Sequence, residues 1–266
     1  MKSIIVDCFG DAALDDRLQV ALDLVRAHDA HLTCHYTVPF PLVPSYEPFG
    51  GVANMAPIIN ALHQQELEAR QAMDARLGAE DVRWDWFSRN GDNSSCLVEA
   101  SGLADLMVIS QSKPNGQTPG FIDFIVTHSA CPVLLVPEGC QKIDPFAPVV
   151  IGWNGSAQIA RTLRQALPML RLARQVYLVS IGEDADPLPL EEAGAYLSRH
   201  GVKPQLQSVN AGHGGAPERL RSLARETGAS AIIMGAYGHS RLRETILGGT
   251  TRALTRNSEI PLILGH

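Results

Sequence analysis

Two kinds of hydrophobic pattern alternate along the first half of the chain. Short apolar runs, typical of buried strands, lie near 3–8, 31–37, 82–88, 105–110 and 132–136. Between them, apolar residues recur at helical spacing near 12–28, 56–78, 94–102 and 121–129. Strands that alternate with helices predict an α/β fold, in which helices cover both faces of a mainly parallel sheet.

The second half of the chain repeats this pattern in register. We predict strands near 148–153, 175–181, 203–209, 230–235 and 260–264, and helices near 156–173, 187–200, 215–227 and 248–257. The apolar stripe of the first helix, Leu14, Leu18, Ala21, Leu22 and Val25, recurs 145 residues later as Ile159, Leu163, Ala166, Leu167 and Leu170. The chain therefore reads as two copies of a unit the size of one domain, at 1–140 and 146–266.

Two segments interrupt the pattern. Residues 38–48 contain too many prolines for a helix or a strand, which predicts a long ordered loop. Residues 137–147 are turn-rich and predict a short linker, so we expect the two domains to pack together.

Charge separates the two halves. The first 145 residues hold nine Lys and Arg against nineteen Asp and Glu, whereas the rest hold thirteen against nine. This split suggests that only the second half meets an anion, and it is too weakly basic to favour nucleic acid. No apolar run is long enough to predict a membrane span. Five cysteines without paired spacing favour a reducing, cytoplasmic setting.

Glycines follow two strands of the second half, where ligands of open parallel sheets bind. These segments are Trp153-Asn154-Gly155-Ser156 and Gly235-x2-Gly238, and Gly248-Gly249-Thr250-Thr251 opens the last helix. Glycines let backbone N–H groups approach phosphate, and the positive end of a helix attracts it. Two readings stay open: the glycines cradle phosphate, or they only turn the chain and cap the helix. His239, inside this loop, either contacts phosphate or shapes the turn.

These residues resemble the universal stress proteins in their tandem two-domain form. ATP-binding members carry Gly-x2-Gly-x9-Gly-Ser/Thr, and this chain has Gly249 at the Ser/Thr position, followed by Thr250. Asn154 falls on the family's acidic position near the adenosine. The site that the resemblance implies for ATP, alone or with Mg²⁺, comprises Gly152, Trp153, Asn154, Val179, Met234, Gly235, Gly238, His239, Gly248, Gly249, Thr250 and Thr251.

The first half departs from the family pattern. Phe9 stands where the second half has Asn154, and no Gly-x2-Gly follows Ser110. We therefore expect a first domain that keeps the fold but has a degenerate nucleotide site. The resemblance also implies two flavodoxin-like or Rossmann-like doubly wound domains with five-stranded sheets. The last strand of each would pair with the other inside one chain, as a pseudo-dimer, with a homodimer of chains as a further option.

The resemblance implies a role in stress response or signalling. No clear general base, nucleophile or Mg²⁺-binding carboxylate accompanies the glycine loop, so we expect no catalytic residues and at most slow ATP hydrolysis. We interpret His28, His31, Cys34 and His35 as ordinary strand and loop residues, and we expect no metal site. Two alternatives remain open: an interaction protein that binds no nucleotide, and an enzyme acting on a small adenylated metabolite.

Overall fold

The structure is a computed structural model that describes residues 1–39, 55–111, 120–182, 188–237 and 249–266. The strands of the first domain are β1 (Ser3–Asp7), β2 (His31–Pro39), β3 (Arg83–Gly91), β4 (Leu106–Ser110) and β5 (Val133–Val136). Its helices are α1 (Leu14–His28), α2 (Met55–Leu77), α3 (Asn93–Ala100) and α4 (Phe121–His128).

The second domain has the same order of elements. Its strands are β6 (Val149–Trp153), β7 (Val176–Ile181), β8 (Pro204–Val209), β9 (Ala231–Gly235) and β10 (Leu262–Gly265). Its helices are α5 (Ala157–Gln165), α6 (Leu167–Leu170), α7 (Leu190–Arg199), α8 (Gly215–Thr227) and α9 (Gly249–Asn257).

All ten of these strands form one continuous sheet. The strand order is β3-β2-β1-β4-β5-β10-β9-β6-β7-β8, so each domain contributes five parallel strands. The two halves join where β5 and β10 pair antiparallel, with Leu135 opposite Leu262 and Val133 opposite Leu264. This pairing confirms the predicted doubly wound α/β fold and the pseudo-dimer. It also leaves neither apolar strand as an exposed edge.

Helices cover the sheet on both faces. One apolar cluster lies under α1, α2, α5 and α7, and includes Leu18, Leu163 and Leu197. A second cluster lies under α3, α4, α8 and α9, and includes Leu97 and Leu220. Residues that alternate along a strand therefore enter different clusters, because successive side chains point to opposite faces.

The predicted elements agree with the structure except in two places. The single helix predicted over 156–173 is divided into α5 and α6 at Ala166. Pro168 explains the break, because it has no N–H to donate and its ring opposes the carbonyl four residues earlier. In the predicted proline-rich loop, Val38 and Pro39 belong to β2, and residues 40–54 lie outside the described residues.

The linker is held against α1. The backbone N–H groups of Gly139 and Ile143 donate to the carboxylates of Asp16 and Asp23, at 2.9 and 3.0 Å. The Ile143 side chain is buried in the first apolar cluster. These contacts fix the linker to the first domain, and the pairing of β5 with β10 packs the two domains together, as predicted. Within the described ranges, no helix is long and apolar enough to cross a membrane.

Candidate functional site

Three predicted site residues lie side by side in the second domain. The strand register places Gly152 of β6 between Val179 of β7 and Met234 of β9. Val179 and Met234 are buried in the cluster under α8, and a Cβ added to Gly152 would lie 3.2 Å from the Leu220 side chain. Together they form an apolar floor that ends at the carboxyl edge of the sheet.

Asn154 shapes the turn that follows β6. Its Oδ1 accepts hydrogen bonds from the backbone N–H and the hydroxyl of Ser156, at 3.3 and 2.8 Å. The Ser156 hydroxyl in turn accepts from the Ile159 N–H and caps α5. The side chain of Asn154 is thus oriented by the start of α5, and the residue keeps intermediate exposure at the edge of the floor.

Gly235 allows α5 to approach the end of β9. A Cβ at this position would lie 2.6 Å from the backbone nitrogen of Ile159, closer than any side chain can stand. Close packing therefore accounts for a glycine at 235, whether or not a phosphate lies nearby. The residue itself keeps intermediate exposure.

The first turn of α9 offers backbone N–H groups at the same edge of the sheet. The helix begins at Gly249, which is exposed, and outside its own helix no atom of the described residues lies within 4 Å of a Cβ placed there. Thr250 is partly exposed, whereas Thr251 is buried. No acidic residue lies in this turn, so nothing in it opposes an anion at the positive end of the helix.

One predicted residue, Trp153, is not part of this floor. Trp153 faces the opposite side of the sheet, where it joins the cluster under α5 and α7, and its Nε1 donates to the Leu188 carbonyl at 2.9 Å. Gly238, His239 and Gly248 lie outside the described residues.

Tyr237 is a site-edge residue that sequence reasoning missed. It has a left-handed backbone with φ 57°, and its hydroxyl donates to the carboxylate of Asp123 in α4 of the first domain. Burial and the neighbouring Asp123 raise the pKa of Tyr237. The segment that opens the glycine loop is thereby attached to the other domain, a contact that no local pattern could indicate.

Arg17 closes the corresponding strand end in the first domain. Its guanidinium is fully buried, donates to the carbonyls of Asp7 and Phe9, and pairs with Asp11 at 2.7 Å. It also donates to the Ser110 hydroxyl at 3.0 Å, which links the ends of β1 and β4. The residue 145 positions later is Thr162, so the repeat register marks Arg17 as a departure between the copies.

Polar side chains replace the apolar floor in the first domain. Asp7 occupies the position of Gly152, and His35 pairs with it in the register as Val179 does with Gly152. Burial raises the pKa of Asp7, while burial and the charge of Arg89 lower the pKa of His35 to about 4. Neither ring nitrogen of His35 has a hydrogen-bond partner among the described residues. The two copies therefore differ in polarity at the positions where the second has its floor.

Comparison with known proteins agrees with the repeat. The model of the universal stress protein family matches residues 3–137 and 146–265. Universal stress protein Slr1230 of Synechocystis sp. is 24% identical over 217 residues, which cover 77% of this chain and 68% of that protein.

Solved structures match over different extents. A universal stress protein from Archaeoglobus fulgidus superimposes with a TM-score of 0.73 at 14% identity, covering 99% of this chain and 96% of that one. A universal stress protein in complex with cAMP is 22% identical, with a TM-score of 0.37, and covers 45% of this chain and 96% of that one. The full-length match supports the architecture of both halves.

Proposed function

The chain belongs to the universal stress protein family, and from this premise we propose that its C-terminal domain, residues 146–266, binds ATP. The binding site would lie at the carboxyl ends of β6 and β9. The observation that carries the proposal is that an apolar floor ends, and α9 begins, at the same carboxyl edge of the sheet.

The residues present suit the parts of the nucleotide. The first turn of α9, with Gly249 and Thr250, offers N–H groups and a hydroxyl to phosphate oxygens. The carboxamide of Asn154 and the edge of Met234 would meet the adenosine. The Gly235-x2-Gly238-x9-Gly248 spacing supports this assignment from the sequence, with Gly238, His239 and Gly248 completing the loop.

We assign the first domain, residues 1–140, no nucleotide. The buried Arg17 already occupies the strand ends there, and its guanidinium is engaged by Asp11 and by Ser110. Asp7 adds a buried carboxyl group where the second domain has glycine, and a carboxylate would repel phosphate. The excess of acidic residues in this half would also repel a triphosphate.

A binding role in stress signalling fits the site better than rapid turnover. Among the described residues of the proposed site, none is a carboxylate or a histidine that could act as a general base, so we expect hydrolysis, with Mg²⁺ as companion cation, to be slow. We place the protein in the cytoplasm, because all five cysteines are free thiols.

A negative charge introduced at Gly249 tests the proposal. Gly249→Asp puts a carboxylate beside the phosphates, whereas Gly249→Asn has nearly the same shape without the charge. Among the described residues nothing obstructs a Cβ at this position, and an acidic residue suits a helix start, so both variants should fold. Titration calorimetry with Mg-ATP should show binding by the wild type and the Asn variant, and a loss of at least about tenfold in the Asp variant.

Two results would contradict the proposal. One is equal Mg-ATP affinity in the two Gly249 variants, which would move the phosphates away from α9. The other is no heat of binding with wild-type protein, together with no adenine nucleotide released when the purified protein is denatured. The second result would favour an interaction protein that binds no nucleotide.

A further inference from the structure

A cavity lies between α5 and α7, on the face of the sheet opposite to the proposed ATP site. Its volume is about 440 Å³, within the range of roughly 300–1,000 Å³ that small-molecule sites occupy. Ala160 and Leu163 of α5 line one side, and Ala193 and Tyr196 of α7 line the other. Trp153, at the end of β6, lies at its base.

The local sequence explains why this space is open. A Cβ on Gly194 would lie 2.9 Å from the Leu206 side chain, so glycine lets α7 pack closely on the edge strand β8. Ala160 and Ala193, which face the gap between α5 and α7, are too small to fill it. The cavity therefore follows from three small residues on two helices.

Trp153 presents an apolar aromatic surface to the cavity. The residue is only 5% exposed, and its single polar atom, Nε1, already donates to the Leu188 carbonyl. The first domain has the smaller Cys8 at the matching position, so an aromatic side chain at this place is found in the second copy alone. A flat ring could pack against the indole in the offset or edge-on arrangements that aromatic groups prefer.

Two guanidinium groups line the same cavity. Neither Arg164 of α5 nor Arg199 of α7 forms an ion pair or side-chain hydrogen bond within the part of the chain that the structure describes, although both lie on ordered helices. Arg161, one turn earlier on α5, is instead engaged by the His266 carbonyl. Glu192 also lines the cavity, so the three charged side chains leave a net charge of +1.

We propose that this cavity binds a small aromatic carboxylate. The ring would pack on Trp153 between α5 and α7, and the carboxylate would meet Arg164 and Arg199, whose planar donors match its geometry. The proposal does not depend on ATP binding, because Trp153 and Gly152 face opposite sides of the sheet.

The probe for this site is 1-naphthoate, with 1-naphthalenemethanol as its uncharged counterpart. Calorimetry should show one naphthoate bound per chain and the alcohol bound at least about tenfold more weakly, the difference expected for charge-assisted hydrogen bonds. The chain has three tryptophans, Trp84, Trp86 and Trp153. Of their indole N–H signals in NMR spectra, naphthoate should move the one that Trp153→Phe removes.

Charge variants separate this site from nonspecific apolar binding. Arg164→Gln and Arg199→Gln should each weaken naphthoate binding by about tenfold, and Glu192→Gln should strengthen it by a few-fold, because it removes a repulsive charge. Arg174→Gln removes an exposed charge elsewhere in the domain and should change nothing. The proposal fails if acid and alcohol bind equally, if neither binds, if Glu192→Gln weakens binding, or if the signals of Trp84 or Trp86 move instead.

Discussion

Tyr237 of the second domain donates a hydrogen bond to Asp123 of the first, although 114 residues separate them in the chain. Tyr237 lies between Gly235 and Gly238 of the glycine segment, and its backbone has a left-handed φ of 57°. Asp123 lies in the first turn of α4. The start of the proposed phosphate loop is therefore fixed to a helix of the domain that we assign no nucleotide.

Loss of this hydrogen bond should destabilise the chain. Tyr237→Phe leaves the Asp123 carboxylate without its donor, so we expect the free energy of unfolding to fall by about 1–2 kcal/mol in urea titrations. The control is Tyr177→Phe, because the Tyr177 hydroxyl has no hydrogen-bond partner among the described residues and the residue is partly exposed. Equal stability of the two variants would show that the bond contributes nothing.

The buried His35 should make the protein sensitive to acid. Its pKa is about 4 in the folded chain against an ordinary value of 6.5, so the unfolded chain binds more protons between these values. The contribution of His35 to the free energy of unfolding is therefore fully present above about pH 6.5. It is lost as the pH falls towards 4, by up to about 3 kcal/mol.

His35→Leu removes this titration together with two buried nitrogens that have no partner in the described part of the chain. Unfolding free energies measured from pH 7 to 4 should fall less steeply in the variant. His28, whose pKa is also lowered to about 4, makes the same pH-dependent contribution to stability in both proteins. Asp7 changes stability with pH in the opposite direction, because its pKa is raised. Parallel pH profiles would contradict the assignment to His35.

Arg17 should contribute more to stability than any exposed arginine. Arg17→Met leaves the largely buried Asp11 carboxylate unpaired, and we expect a loss of about 3–5 kcal/mol. Arg83→Met breaks a pair with Asp29 in which both side chains are mostly exposed, and should cost less than about 1 kcal/mol. Chemical denaturation compares the two variants, and similar losses would contradict the role given to Arg17.

Two glycines of the proposed site should respond oppositely to alanine. Gly235→Ala forces a methyl group against the backbone nitrogen of Ile159 and should lower stability by about 1–3 kcal/mol. Gly249→Ala places its methyl group at the start of α9, where no described residue obstructs it, and should be neutral or stabilising by up to about 1 kcal/mol. Thermal unfolding measures both, and a tolerated Gly235→Ala would mean that α5 does not pack as closely as described.

The fold was predictable because the repeat supplied the same signal twice. Leu18 and Leu163 hold the same place in two helices 145 residues apart, and both are buried on the same face of the sheet. The break at Ala166 was also predictable from Pro168 but was missed, because the apolar stripe continues through it. Trp153 could have been placed correctly too, since it alternates with Gly152 along β6.

Long-range polar contacts could not be read from the sequence. Arg17 meets Ser110 across 93 residues, and Tyr237 meets Asp123 across 114. Periodicity reports which face of an element is buried, but it does not report which polar group on another element will satisfy a buried one. The repeat register only marked Arg17 as different from Thr162, without naming its partners.

The central claim is that a duplicated chain keeps one nucleotide site, in its second copy. Native mass spectrometry of the chain with saturating Mg-ATP tests this most directly. We predict one ATP per wild-type chain at saturation, and a much lower ATP occupancy in the Gly249→Asp variant when both proteins are compared at ATP concentrations near the wild-type dissociation constant. Two ATP molecules per wild-type chain, or equal occupancy of the two proteins in that comparison, would contradict the account.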